Sequence, residues 1–136
     1  MSRRTVGLAL ALALVVCLPF SAGGQQRNTV KIGILFYSPL SPGRGEALRQ
    51  ALADLGWVDG RDIVIERRFA DAQNDRLPSL AADLVRAGVS VILTENATAT
   101  RAAMEATSTI PIVMLGVGDP VRYGFVKSLA RPGGNV

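Results

Sequence analysis

The chain has no histidine and a single cysteine, Cys17, and aromatic residues make up only 5% of its 136 residues. Histidine is the usual general base near neutral pH and the commonest metal ligand, so its absence removes the simplest catalytic and metal-binding arrangements. Cys17 lies in an N-terminal segment that we expect to be removed, which leaves no thiol for a disulfide, a nucleophile or a metal site. We therefore predict no catalytic residue, no metal and no cofactor.

The N-terminal segment has the three parts of a secretory signal peptide. Two adjacent arginines come first, the apolar run of residues 6–18 follows, and small residues close the segment. The run of about 13 residues would span about 20 Å as a helix, whereas crossing the hydrocarbon core takes about 20 residues. We expect a signal peptide of residues 1–24, cleaved after Gly23 or Gly24, and a periplasmic location for residues 25–136.

Two variants of this export signal stay open. Arg3 and Arg4 are paired as in the twin-Arg route, but basic residues are expected in any signal peptide. Cys17 could carry a lipid anchor, yet Val16 is larger than the residue usually accepted before a lipidated cysteine. Ordinary secretion without a lipid anchor is therefore the expected route.

The charge of the chain gives little support to a nucleic-acid partner. The net charge is +4, and loss of Arg3 and Arg4 with the signal would lower it to about +2. Arg67 and Arg68 are adjacent in a predicted strand, so their side chains point to opposite faces and form no basic patch. We predict that the protein binds no nucleic acid. We also expect it to be a monomer.

Apolar strand patterns alternate with amphipathic helix patterns throughout residues 25–136. The predicted strands are residues 30–37, 63–69, 89–94 and 110–115, and the predicted helices are residues 44–55, 75–87 and 96–107. Units of about 30 residues that alternate in this way are typical of a parallel sheet with helices on both faces. We predict the α/β class, a three-layer arrangement and the strand order 2-1-3-4.

Ligands in such sheets bind at the carboxyl ends of the strands. The candidate ligand-binding residues at these ends are Tyr37 and Ser38 after the first strand, Asn96, Ala97 and Thr98 after the third, and Asp119 after the fourth. Each polar candidate also has a purely structural interpretation, since Asn96 and Thr98 could cap a helix and Asp119 could accept hydrogen bonds from nearby backbone.

Two other residues have mainly structural interpretations. Ser41 precedes the first predicted helix and is expected to cap it, although the helix start could also face an anionic ligand group. Trp57 follows Gly56, which is expected to end that helix in a left-handed conformation. We expect Trp57 to pack at the end of the sheet opposite to the ligand site.

Several motifs occur in the order and spacing of a known family. They are Ser38-Pro39, residues 55–63 (LGWVDGRDI), 76–82 (RLPSLAA), 106–113 (ATSTIPIV), 118–121 (GDPV) and 128–136 (SLARPGGNV). Together they resemble the ABC transporter substrate-binding proteins, including members that bind tryptophan and other aromatic amino acids. The resemblance covers all of residues 25–136. Two positions depart from the family pattern. At Asn96-Ala97-Thr98, members of the family commonly have a turn that consists of a small residue, Thr and Pro. At Arg122-Tyr123, they have smaller residues.

The resemblance implies a periplasmic-binding-protein fold, in which two α/β lobes close on a small ligand and present it to membrane permease subunits of the ABC transporter. It assigns the pocket to Tyr37, Ser38, Asn96, Ala97, Thr98 and Asp119. Residues 25–136 would supply the first lobe, with the second lobe missing and half of the ligand pocket exposed.

Two other classes of function share this type of sheet. A flavodoxin-like or nucleotide-using enzyme would need a phosphate-binding glycine motif, and the glycines of residues 38–45 have the wrong spacing for one. The effector-binding domain of a transcription regulator would carry a helix-turn-helix where this chain has its export signal.

Overall fold

Four parallel strands form a single sheet in the computed structural model, which describes residues 29–136. The strands are β1 (Val30–Phe36), β2 (Ile63–Phe69), β3 (Val91–Thr94) and β4 (Ile112–Met114). Their spatial order is β2-β1-β3-β4, and each neighbouring pair is parallel. The predicted α/β class and strand order are confirmed. The predicted signal peptide and Cys17 lie outside the described residues.

Three helices connect the strands. They are α1 (Pro42–Asp54), α2 (Leu77–Arg86), which is preceded by a 3₁₀ turn at Asn74–Arg76, and α3 (Ala97–Ala106). Gly56 and Gly88 follow α1 and α2 with φ angles of 88° and 69°, a left-handed conformation that favours glycine and ends a helix. These helix ends agree with the sequence prediction to within about two residues.

The larger part of the core lies between the sheet and the helices α2 and α3. Leu35, Ile92 and Ile112 point to this face from three neighbouring strands and pack against Leu77, Ala81 and Leu84 of α2. Helix α3 presents small side chains, including the fully buried Ala99 and Ala103. Because methyl groups require little space, α3 packs close to β3 and β4.

The other face of the sheet is covered by α1 alone among the described elements. Successive side chains of a strand point to opposite faces, so Ile34 and Phe36 of β1 lie on this side with Ile63 and Ile65 of β2. The α1 residues that pack against them are Leu48 and Leu52, which are only half-buried. No residue of α1 is fully buried.

The predicted apolar face of α1 is therefore only partly used. Leu55, the last residue of the predicted helix 44–55, follows the end of α1 and is 75% exposed. On the same side of the sheet, the β4 residue Val113 and the following Leu115 are 46% and 41% exposed. The described helices thus leave the β4 half of this face open to solvent.

Two further predictions about single residues are corrected by the structure. Ser41 occupies the capping position of α1, but its side chain makes no capping hydrogen bond. Pro42 at the first position of α1 already lacks an N–H group, which lowers the need for a cap. Trp57 lies at the expected end of the sheet but is 45% exposed, because it follows the left-handed Gly56 into the turn before β2.

Residues 115–136 return along the outside of the sheet to the start of β4. Phe125 is buried there, its ring is stacked on Tyr123 at 5.6 Å between centroids, and the Arg101 guanidinium lies 5.2 Å from the Phe125 centroid. Near the end of the segment, the Ile112 N–H donates to the Asn135 carbonyl at 2.7 Å. The Asn135 side-chain amide donates to the carbonyls of Thr107 and Ile110, which fixes the segment against the sheet.

Candidate functional site

A cavity of about 360 Å³ lies at the carboxyl edge of the sheet, on the side of α1. Its size falls within the range of small-molecule sites, roughly 300–1,000 Å³. Four apolar side chains and two charged ones form most of its walls: Phe36, Leu40, Leu48, Leu115, Arg44 and Glu95, with Gly116 completing the lining. We call this space the Glu95 cavity.

Glu95 joins the ends of β3 and β1. It directly follows β3, and its Oε1 accepts hydrogen bonds from the backbone N–H groups of Tyr37, in a short contact, and of Ser38, at 3.1 Å. Charge-assisted hydrogen bonds of this kind are stronger than those between neutral groups. The carboxylate therefore fixes the loop after β1 at the rim of the cavity.

The loop after β2 holds Tyr37 from the other side. The Ala72 N–H donates to the Tyr37 carbonyl at 2.9 Å. Asp71 and Ala72 have φ angles of 52° and 62°, a left-handed conformation that side chains rarely adopt, and Arg76 forms an ion pair with Asp71. Backbone strain of this type is concentrated at functional sites, where the surrounding structure maintains it.

Asn96 is committed to the start of α3. Its side-chain oxygen accepts the Ala99 N–H at 2.9 Å, so the amide acts as the predicted helix cap. Its backbone carbonyl accepts both the N–H and the hydroxyl of Thr100 at 3.0 and 2.8 Å. The Thr100 hydroxyl lies 2.8 Å from that of Thr94, and both residues are completely buried. These contacts give the end of β3 a defined conformation beside Glu95.

The structure separates the remaining predicted site residues. Ala97 begins α3, and the exposed Thr98 lines a different small cavity, together with Arg101 and Glu105, near the start of α2. Asp119 is exposed and accepts the Arg122 N–H at 3.0 Å within its own turn. Tyr37 and Ser38 are bound to Glu95 at the cavity rim, whereas Ala97, Thr98 and Asp119 do not line the cavity.

Arg44 supplies the positive charge of the Glu95 cavity. Another arginine of α1, Arg49, forms an ion pair with Glu46, and its guanidinium holds the pKa of Glu46 below the ordinary value. Within residues 29–136, no carboxylate lies in ion-pair distance of Arg44. The cavity thus combines apolar walls with a carboxylate and a guanidinium, which suits a ligand that carries both charges and an apolar group.

Sequence reasoning placed Glu95 at the correct strand end but gave no reason to select it. Its hydrogen-bond partner Tyr37 lies 58 positions earlier in the chain, so no local spacing could indicate the pair. Arg44 was assigned only to the start of a helix. Both residues become candidates because the β2-β1-β3-β4 order brings the loops after β1 and β3 together.

The described part of the chain contains neither a membrane-spanning helix nor a cluster of metal-binding side chains. No helix of residues 29–136 is long and apolar enough to cross a bilayer. The same residues contain no group of three or more cysteine, histidine, aspartate or glutamate side chains placed to hold a metal ion.

The sequence is similar to a characterised amino-acid-binding protein. It is 44% identical over 114 residues to a tyrosine-binding protein of Clostridioides difficile strain R20291, a match that covers 82% of this chain and 32% of that protein. The chain thus spans about a third of the length of this curated relative.

Two solved structures resemble the fold. One is the ligand-free, open structure of a substrate-binding protein with adhesive properties from Clostridium difficile, with a TM-score of 0.73 and 32% identity. The other is a domain from Streptococcus pneumonia in complex with L-Trp, with a TM-score of 0.71 and 25% identity. Each match covers 79% of this chain and 37% of the other chain.

The match to a family extends over most of the described residues. Residues 43–136 match the family described as ABC transporter substrate binding protein. This range includes residues 43–54 of α1, the strands β2, β3 and β4, and the turn that carries Asp119. The chain therefore belongs to the ABC transporter substrate-binding protein family.

Proposed function

We propose that this chain is a ligand-capturing lobe of an extracytoplasmic solute-binding protein, which takes up an amino acid and delivers it to the permease subunits of an ABC transporter. The observation that carries the proposal is the Glu95 cavity at the carboxyl edge of the sheet, because this is where ligands bind in open α/β folds. The relatives named for tyrosine and bound to L-Trp support an amino acid as the ligand.

The proposed mechanism is binding without chemistry. The ligand would rest on the carboxyl edge of this lobe and be covered by a second lobe, as the resemblance to two-lobed binding proteins implies. Closure of two domains around a ligand excludes water and increases selectivity. Export by the proposed signal peptide of residues 1–24, a periplasmic location and a monomeric state belong to the same proposal.

Within this function, the six predicted residues have different proposed roles. Tyr37 and Ser38 would form the rim of the pocket next to Glu95, which holds their backbone. Asn96, Ala97, Thr98 and Asp119 would face the ligand only if the covering lobe brings it beyond the Glu95 cavity. The side-chain hydrogen bond of Asn96 is that of a helix cap, and the one of Asp119 is that of a turn.

The test is a ligand screen by NMR with the purified, isotope-labelled chain. Chemical-shift changes are recorded while each of the twenty amino acids, several sugars and several short peptides is added at millimolar concentration. We expect aromatic and large apolar amino acids to shift the signals of residues at the carboxyl edge. The proposed function would be rejected if none of the amino acids bound, or if the shifts were confined to the opposite edge of the sheet.

A further inference from the structure

We propose that the Glu95 cavity binds a zwitterionic amino acid with a large apolar side chain, whose ammonium group pairs with Glu95 and whose carboxylate pairs with Arg44. This inference rests on the proposed function and adds the two residues that would recognise the charged groups of the ligand. Neither residue was among the ligand-binding residues predicted from the sequence.

The first argument is the orientation of the Glu95 carboxylate. Its Oε1 is held by two backbone N–H groups, those of Tyr37 and Ser38. Among residues 29–136, no donor is hydrogen-bonded to its other oxygen, Oε2. An ionised carboxylate has about four acceptor positions, so the fixed Glu95 can accept further donors from a ligand. An ammonium group offers three donors and the opposite charge.

The second argument is the charge of Arg44. Arg44 is among the residues that line the same cavity, and it has no acidic partner in the described part of the chain. The neighbouring Arg49, by contrast, is paired with Glu46. Guanidinium groups bind carboxylates through two parallel hydrogen bonds, which makes Arg44 suitable for the ligand carboxylate.

The third argument is the apolar lining between the two charges. Phe36 is buried, Leu40 and Leu48 are half-buried, and Leu115 is 41% exposed, so an apolar ligand group would bury surface that is now partly in water. A Cβ atom on Gly116 would lie 3.3 Å from the Glu95 carbonyl, so this position favours a residue without a side chain. The lining thus favours an aromatic or large aliphatic side chain on the ligand.

The test compares three probes that differ only in their charged groups. L-tryptophan carries both charges, tryptamine lacks the carboxylate, and indole-3-propionate lacks the ammonium group. Affinities of the purified chain are measured by NMR titration at millimolar ligand. We expect Glu95→Gln to weaken L-tryptophan and tryptamine about tenfold and to leave indole-3-propionate within about twofold. Arg44→Gln should weaken L-tryptophan and indole-3-propionate about tenfold and spare tryptamine.

Matched variants control for net charge. Glu105→Gln removes an exposed acid of α3 that does not line the Glu95 cavity, and Arg49→Gln removes a cation of the same helix as Arg44. Both controls should bind all three probes with the affinity of the unaltered chain. Similar weakening by the controls would indicate a general electrostatic effect and overturn the proposal.

The outcomes also separate this proposal from the proposed function. If the unaltered chain binds amino acids and both site variants bind them equally well, the proposed function stands and this assignment is wrong. If Glu95→Gln weakens all three probes by one factor, Glu95 only holds the loop after β1, and the assignment is again wrong. If the unaltered chain binds none of the amino acids, both proposals fail.

Discussion

The hydroxyl groups of Thr94 and Thr100 form a short hydrogen-bond chain in the core beside the candidate site. The Thr100 hydroxyl donates to the Asn96 carbonyl, so the 2.8 Å contact between the two hydroxyls has Thr94 as its donor. Both side chains are fully buried. The hydrogen bonds therefore run in one direction. The Thr94 hydroxyl needs Thr100 as its acceptor, whereas the Thr100 hydroxyl does not need Thr94.

This direction predicts unequal effects of two similar substitutions. Thr94→Val removes the terminal donor and should lower the free energy of unfolding by at most about 1 kcal/mol. Thr100→Val leaves the buried Thr94 hydroxyl without its acceptor and should cost about 1–3 kcal/mol. The measurement is urea unfolding followed by circular dichroism.

The double variant Thr94→Val/Thr100→Val provides the decisive comparison. Replacement of both partners by apolar groups of the same shape removes the unsatisfied donor, so the double variant should be at least as stable as Thr100→Val alone. Additive losses in the double variant would show that the two hydroxyls act independently and would contradict the proposed direction.

At the scale of elements, β1 and α2 approach each other closely because Gly33 has no side chain. A Cβ atom at this position would lie 3.2 Å from both terminal methyl carbons of Leu84 and 3.2 Å from a Val89 methyl carbon. Leu84 is completely buried, so it has little freedom to move aside. The glycine of β1 thus determines how near α2 packs to the centre of the sheet.

We therefore expect Gly33→Ala to destabilise the fold by about 1–3 kcal/mol through overpacking. Gly43→Ala is the matched control, because nothing lies within 4 Å of its added Cβ and its position in α1 favours alanine by about 0.5–1 kcal/mol. Thermal unfolding of both variants measures the difference. A Gly33→Ala variant as stable as the unaltered chain would show that α2 can move away from β1 without cost.

The sequence was sufficient to predict the sheet but insufficient to predict the site. Strand and helix periodicities reflect one-sided burial, and the left-handed glycines at positions 56 and 88 mark helix ends, so class, order and most boundaries follow from local patterns. Asn96 was correctly assigned as a possible cap because capping also acts over three residues. Trp57 was misjudged since apolar character alone does not say which surfaces remain uncovered.

Glu95 was missed for a different physical reason. The predicted strand order already made β1 and β3 neighbours, but the N–H groups bound by Glu95 belong to the backbone and carry no side-chain signal in the sequence. The same holds for the left-handed pair Asp71 and Ala72, whose side chains give no indication of that conformation. Such backbone contacts can be identified only from the three-dimensional structure.

At the scale of the whole molecule, helices cover the two faces of the sheet to different extents. One face packs against α2 and α3, whereas the other has α1 over β1 and β2 and leaves Val113 and Leu115 partly in water. The Glu95 cavity lies on this second side. A ligand in this cavity would contact residues 29–136 from one side.

This one-sided contact predicts weak binding. Typical ligand pockets bury about 70–90% of the ligand surface, and contact from one side would bury a smaller fraction. We expect this chain to bind L-tyrosine at least about 100-fold more weakly than the full-length tyrosine-binding protein of Clostridioides difficile, a difference of about 2.7 kcal/mol in binding free energy. Isothermal titration calorimetry of the relative and NMR titration of this chain provide the two values.

The control is the corresponding third of the relative, expressed alone and titrated in the same way. If one-sided burial limits the affinity, this fragment and the present chain should bind tyrosine similarly weakly, although they share only 44% of their residues over the matched region. The other outcome is that the fragment binds tyrosine weakly, whereas the present chain binds it within tenfold of the full-length relative. The carboxyl edge of the present chain alone would then supply nearly all of the binding energy. The prediction of weak, one-sided binding would then be wrong for this chain.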